Sequence, residues 1–101
     1  MHNRLDLQTK LEELLGSRNV YYQPPESIKM SYPAIVYFKA AIVNRHANDT
    51  VYNSRTRYEI IVIDKRPDNE VINKILDLSL SSYERSYRSD NLNHDVISLY
   101  V

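Results

Sequence analysis

The sequence predicts an α+β fold in one domain over residues 1–101: a mostly antiparallel sheet of four to five strands, two helices packed on one face, and a long β-hairpin. Three observations lead there. Two segments, near 4–15 and 67–81, space their apolar residues as helices do. Two others, Ala34–Val43 and Thr56–Asp64, alternate with period two around a polar stretch. At 101 residues, two independent cores would each sit near the lower limit of self-sufficient folding.

The first helix is expected from about Arg4 to Leu15, with Leu7, Leu11, Leu14 and Leu15 on one stripe of a 3.6-residue repeat. Gly16, the single glycine, stands where a C-terminal cap takes positive φ. Val20-Tyr21-Tyr22 reads as a short strand stopped by Pro24-Pro25, and residues 26–31 as polar loop. Pro33 lacks the N–H that a ladder needs, so it marks a strand entrance. In the strand that follows, Ala34, Val36, Phe38, Ala40 and Ile42 share one face, and Ile35, Tyr37, Lys39, Ala41 and Val43 the other. The next strand, Thr56 to Asp64, sets Tyr58, Ile60 and Val62 against Arg57, Glu59, Ile61 and Ile63. The tip between them, Asn44 to Arg55, turns at Asn48-Asp49 and extends beyond the core.

Pro67-Asp68-Asn69-Glu70 is a helix start, a polar cap with an acidic first turn. That helix is expected to reach Ser81, with Val71, Ile72, Ile75, Leu76 and Leu78 or Ser79 as its stripe. Tyr83 to Asn93 is polar and turn-prone, with room for a short strand around Ser86 to Arg88. The last strand, about His94 to Val101, sets Val96, Ser98 and Tyr100 against Asp95, Ile97 and Leu99.

Counting faces exposes a shortfall. A four-strand sheet is about 20 Å wide, and two helices of about 10 Å each cover one face of it. Yet the strands carry large apolar residues on both faces. A half-exposed antiparallel sheet should alternate cleanly between apolar and polar. Two explanations remain open: self-association through the second face, or cover from the loops 23–33 and 83–93. Under the first, Ile61, Ile63, Ile97 and Leu99 are the candidate subunit-interface residues.

Composition excludes several functions. Thirteen Lys and Arg balance thirteen Asp and Glu, so the formal net charge is zero, whereas phosphate binding as a main task wants a basic excess. No cysteine is present, which removes disulfides and thiolate metal sites, and one glycine cannot build a glycine-rich phosphate loop. The most apolar segment, Ala34–Val43, is interrupted by Lys39 and falls well short of the about 20 residues of a membrane-spanning helix. Met1 to Asp6, with His2, Arg4 and Asp6, has no signal-peptide stretch behind it, so the protein is expected in the cytoplasm or wherever its partners are.

In the order of its motifs the chain resembles the tail terminator (tail completion) proteins of long-tailed bacteriophages. The resemblance is carried by Val20-Tyr21-Tyr22-Gln23-Pro24, Met30-Ser31-Tyr32-Pro33-Ala34-Ile35-Val36-Tyr37 and Ala47-Asn48-Asp49-Thr50-Val51-Tyr52. It continues through Arg57-Tyr58-Glu59-Ile60, Ile63-Asp64, Arg66-Pro67-Asp68 and Asp90-Asn91-Leu92-Asn93-His94-Asp95, covering nearly the whole chain. It implies a virion structural protein assembled as a ring of six, with no catalysis and no cofactor. Such a ring caps the tail tube at its head-proximal end, stops polymerisation and docks on the head–tail connector. Its partners are further copies of itself, the tube protein and the connector, with DNA present only in transit and no membrane. Another head–tail joining protein is the alternative, and a nucleic-acid-binding α+β module a more distant one.

Loops carry binding more often than scaffolds do, so the hairpin is the candidate partner-contact segment, through Arg45, His46, Asn48, Asp49, Tyr52 and Arg55; a plain solvated loop is the competing reading. His94-Asp95, four residues beyond Asp90, could suggest a His–carboxylate pair. Without a cysteine or a serine in a nucleophile elbow, the plainer expectation is a histidine hydrogen-bonded near the start of the last strand. His2 and His46 show no zinc-ligand spacing, and Asp77 and Glu84 are expected to be solvated. Nine tyrosines against one phenylalanine admit two readings. Tyr52, Arg55, Arg57 and Tyr58 could stack on bases, and neutral charge favours protein interfaces instead, as it does for Arg85, Tyr87 and Arg88.

Overall fold

The computed structural model describes residues 3–47 and 50–101, with the backbone alone described at 44–47 and 50–54. Its elements are α1 (Arg4–Leu15), β1 (Val20–Tyr22), β2 (Ala34–Ala47), β3 (Thr50–Asp64), α2 (Glu70–Leu76), β4 (Ser81–Ser89) and β5 (Leu92–Tyr100). The strands form one sheet in the order β1-β2-β3-β5-β4; β1 runs parallel to β2 and every other pair is antiparallel. The expected α+β fold and long hairpin are present.

Local chemistry explains the element ends. Asn3 caps α1 by accepting from the Asp6 N–H at 2.9 Å, and Gly16 closes it at φ 80°. Asn69 caps α2 by accepting from the Val71 N–H at 2.9 Å. The β3–α2 junction is tied by Asp64, a buried carboxylate that accepts from the Asn69 side-chain amide at 2.8 Å and the Arg66 N–H at 3.3 Å. Asp64→Ala deprives both donors of their acceptor and should cost about 1–3 kcal/mol of stability, read as a lower urea midpoint with an unchanged slope.

Two stretches depart from expectation. The second helix stops at Leu76, capped by Asp77, instead of reaching Ser81. The segment after it forms a nine-residue strand, β4, where a turn-prone stretch with a short strand is expected. Asp90 and Asn91, with φ of 53° and 62°, make the two-residue turn into β5, and both residue types tolerate that left-handed conformation. β4 lies at the sheet border with its side chains exposed beyond Ser81, so it has no apolar face to announce it.

The core lies between the helices and one sheet face. Leu7 and Leu11 of α1 and Val71 and Ile75 of α2 pack with Ile35, Tyr37, Tyr58, Ile60, Val62, Ile97 and Leu99. Ile97 and Leu99, expected as subunit-interface candidates, therefore sit inside the subunit with no exposed surface. The register explains this correction: Ile97 stands opposite Ile60 and Leu99 opposite Tyr58, so both share the helix-covered face.

Tyrosine is part of that core. Tyr22, Tyr37 and Tyr58 form a ring cluster with centroids 4.9–6.4 Å apart, and the Arg4 guanidinium lies 4.5 Å from the Tyr22 centroid. The Tyr37 hydroxyl donates to Gln8 Oε1 at 2.5 Å and accepts from Arg4 Nη1 at 3.4 Å; Gln8 in turn donates to the Val20 carbonyl at 3.0 Å. Burial pushes the Tyr37 hydroxyl above the ordinary value of 10.0, against a smaller opposing pull from Arg4. In the unfolded chain Tyr37 ionises first, so the contribution is intact below pH 10 and is lost as pH rises through the folded value. Phenolate absorbance should therefore lag in the folded protein, with the thermal midpoint falling over the same alkaline range; Tyr37→Phe should weaken that fall.

Candidate functional site

The face turned away from the helices is the first candidate surface. Strand alternation and register place Val36 and Phe38 of β2, Arg57, Glu59, Ile61 and Ile63 of β3, and His94, Val96, Ser98 and Tyr100 of β5 there. Arg85 and Tyr87 of β4 follow through their partners Val96 and His94. The face has two halves. Toward β2 it is apolar, with Val36, Phe38 and Ile61 half-buried. Toward β4 it is polar: Arg57 Nη1 approaches Ser98 Oγ at 3.5 Å, Arg85 pairs with Glu59 at 3.5 Å, and Tyr87 stacks on the His94 ring at 4.6 Å.

Of the four interface candidates, Ile61 and Ile63 lie on this face. Ile61 retains partial exposure, whereas Ile63 keeps 7% and Val96 none. Much of the second face is thus already shielded within one chain. The expectation of a wholly uncovered apolar face contracts to its β2 half.

The second candidate surface is the ribbon formed by the outer parts of β2 and β3. A bulge between Lys39 and Ala41 reverses the side-chain alternation, so Val43 joins Phe38 on the open face and Ile42 passes to the other. Ile42 and Val43 are 56% and 46% exposed, which makes the ribbon base apolar on both faces. Arg55 is exposed opposite Val43. The backbone places Arg45, His46 and Tyr52 on the ribbon strands; their side chains, and Asn48 and Asp49 altogether, lie outside the described residues. β5 reaches only as far as Arg57 in β3, with Thr56 and Val101 bonding once more beyond it, so the ribbon continues as two strands.

The chemical candidates separate. His94 lies on the open face with Nδ1 3.2 Å from the Leu92 carbonyl, at the start of the last strand. Asp95 projects to the opposite face and accepts from the Tyr83 hydroxyl at 2.8 Å, so the two neighbours form no His–carboxylate pair. Asp77 caps α2 and Glu84 is exposed at a bulge in β4. Tyr58 is buried in the tyrosine cluster while Arg57 points to the other face, which breaks the proposed base-stacking group. Among the described residues no group of three or more His, Cys, Asp or Glu could hold a metal ion, and no helix is long and apolar enough to cross a membrane.

The outer border formed by β4 is a nine-residue strand where sequence reasoning expected at most a short one around Ser86 to Arg88. The available signal was the Asp90-Asn91 turn pair beside the alternation of Tyr83, Arg85 and Tyr87. No protein-family model and no curated protein matches this chain.

Proposed function

We propose that this protein is a self-assembling structural component of a long-tailed phage virion: a tail terminator whose ring of six caps the tail tube, stops its polymerisation and joins the tail to the head connector. The observation that carries the reading is the apolar β2 half of the open face, continuous with a ribbon whose base exposes Ile42 and Val43. Surfaces of that kind mark contacts between proteins. The motif order resembles the tail terminators, and neutral charge suits a ring whose lumen must let DNA pass without holding it. The role is mechanical. Once seated on the last tube ring, the cap presents a surface to which no further tube ring adds.

Native mass spectrometry of the full chain at micromolar concentration, alone and with tube protein, tests this. Six copies are expected in at least one condition; a monomer in both overturns it. Another head–tail joining protein would use the same surfaces and is separated by electron microscopy of labelled tails, where a terminator sits at the tube end. The nucleic-acid-binding alternative predicts affinity for DNA that falls steeply with salt. The separation of Tyr58 from Arg57 speaks against it.

A further inference from the structure

We infer that copies of this chain join edge to edge, the outer strand β4 of one copy adding to the uncovered side of β2 in the next. The inference rests on the self-assembly proposed above and names the strands that carry it.

The sheet order leaves β1 and β4 at its two borders. β1 pairs with β2 only as far as Tyr37, and Gln23 extends the cover by accepting from the Lys39 N–H at 3.3 Å. From Ala40 to Ala47, that side of β2 has no neighbouring strand among the described residues. At the other border β4 runs for nine residues without Lys or Pro, and its Tyr83 and Tyr87 are 44% and 43% exposed. The bulge between Tyr83 and Arg85 and the charged Glu84, Arg85 and Arg88 restrict the open template to the regular stretch from Arg85 to Ser89, whose outward N–H and C=O groups can take another strand.

The backbone groups point the right way at both borders. Thr56 and Val101 exchange both N–H···O bonds, at 3.1 and 2.9 Å, and the Tyr100 N–H donates to the Leu80 carbonyl at 3.2 Å. By the alternation of antiparallel ladders, odd-numbered residues of β5 bond to β3 and even-numbered ones to β4. Arg85, Tyr87 and Ser89, opposite Val96, His94 and Leu92, therefore turn inward, and Ser86 and Arg88 aim their N–H and C=O groups outward. On β2 the Ile35 N–H bonds on the β1 side to the Asn19 carbonyl at 2.8 Å, and the bulge at Ala40 passes that outward role to Ile42.

The two edges lie on opposite sides of the sheet, so each copy offers one of each kind. Such head-to-tail contacts close into rings when the rotation permits. A contact between two β4 strands would stop at a dimer, and centred on Arg85 it would set two guanidinium groups directly opposite each other, a destabilising arrangement.

The test uses the full chain at micromolar concentration, with native mass spectrometry and far-ultraviolet circular dichroism. Ser86→Pro and Ile42→Pro each remove one outward donor and leave the inward ladder intact. The wild type should assemble, and each variant alone should be monomeric with an unchanged spectrum. Mixed together they should form dimers and nothing larger, because each retains the edge that the other lacks. The chain has no native cysteine, so Ser86→Cys with Ile42→Cys in one chain supplies a second measurement that spares the backbone. A short bis-maleimide should then give a ladder of covalent multimers. Assembly of both proline variants like wild type, or a dimer of Ile42→Pro alone, overturns the edge pairing while the assembly reading stands; so does the absence of cross-linked multimers from an assembled cysteine variant. A wild type that stays monomeric, alone and with tube protein, removes both.

Discussion

Replacing Ile97 by alanine should lower the unfolding free energy by about 2–5 kcal/mol, the range for deleting a buried aliphatic side chain and leaving a cavity. Ile97 has no exposed surface and stands in β5 between Ile60 on one side and Tyr83 on the other, within the layer covered by the helices. Domains of this size are stable by only about 5–15 kcal/mol, so much of the margin goes with one side chain. The urea midpoint should fall with an unchanged slope, and the fraction that remains folded should assemble as the wild type does. A variant of unchanged stability that no longer assembles would instead return Ile97 to an interface.

Ile61→Asp should have the opposite signature: a subunit that stays folded and does not assemble. Ile61 is one strand position from the core residue Ile60 but on the other face, where it keeps partial exposure beside the half-buried Val36. A carboxylate there can remain hydrated in the free subunit, whereas covering it with another copy would strand an unpaired charge, a cost of several kcal/mol. Native mass spectrometry should find monomers, with circular dichroism and the thermal midpoint close to wild type. Ile63→Asp is no substitute, because at 7% exposure Ile63 is already shielded and the change would burden folding itself. An Ile61→Asp protein that assembles normally would show that the open face is not part of the contact.

Where the sequence was legible, periodicity and punctuation agreed. The helix at 4–15, with its Leu7–Leu11 stripe and Gly16, and the hairpin built on Ala34–Val43 and Thr56–Asp64 were readable because burial on one face imposes a repeat. β4 was legible only as a short strand around Ser86 to Arg88, since a border strand exposed on both faces imposes no apolar repeat along its nine residues. The assignment of Ile97 and Leu99 failed for a related reason. Period two says which residues share a face and leaves open which face the helices take; that depends on pairing with β3, a long-range fact. The exchange of faces by Ile42 and Val43 turned on one extra residue at Ala40, and a bulge there had no glycine to mark it. For the candidate surfaces, Ile61 was legible as an apolar residue on the second face, while the outward-aimed edges of β2 and β4 emerged only from the hydrogen-bond ladder.

The position of β5 also bears on how the protein is made. It is the last strand in chain order, yet it lies between β3 and β4 and holds both. While synthesis proceeds, β3 can close on β2 but must wait for its other neighbour, with Tyr58, Ile60 and Val62 ready and uncovered on that side. Nascent chains are therefore exposed to mispairing with one another until β5 has been made and can pair. Slowing the ribosome just before residue 92 should lower the soluble yield more than an equal delay before residue 34, even though the finished polypeptide is identical.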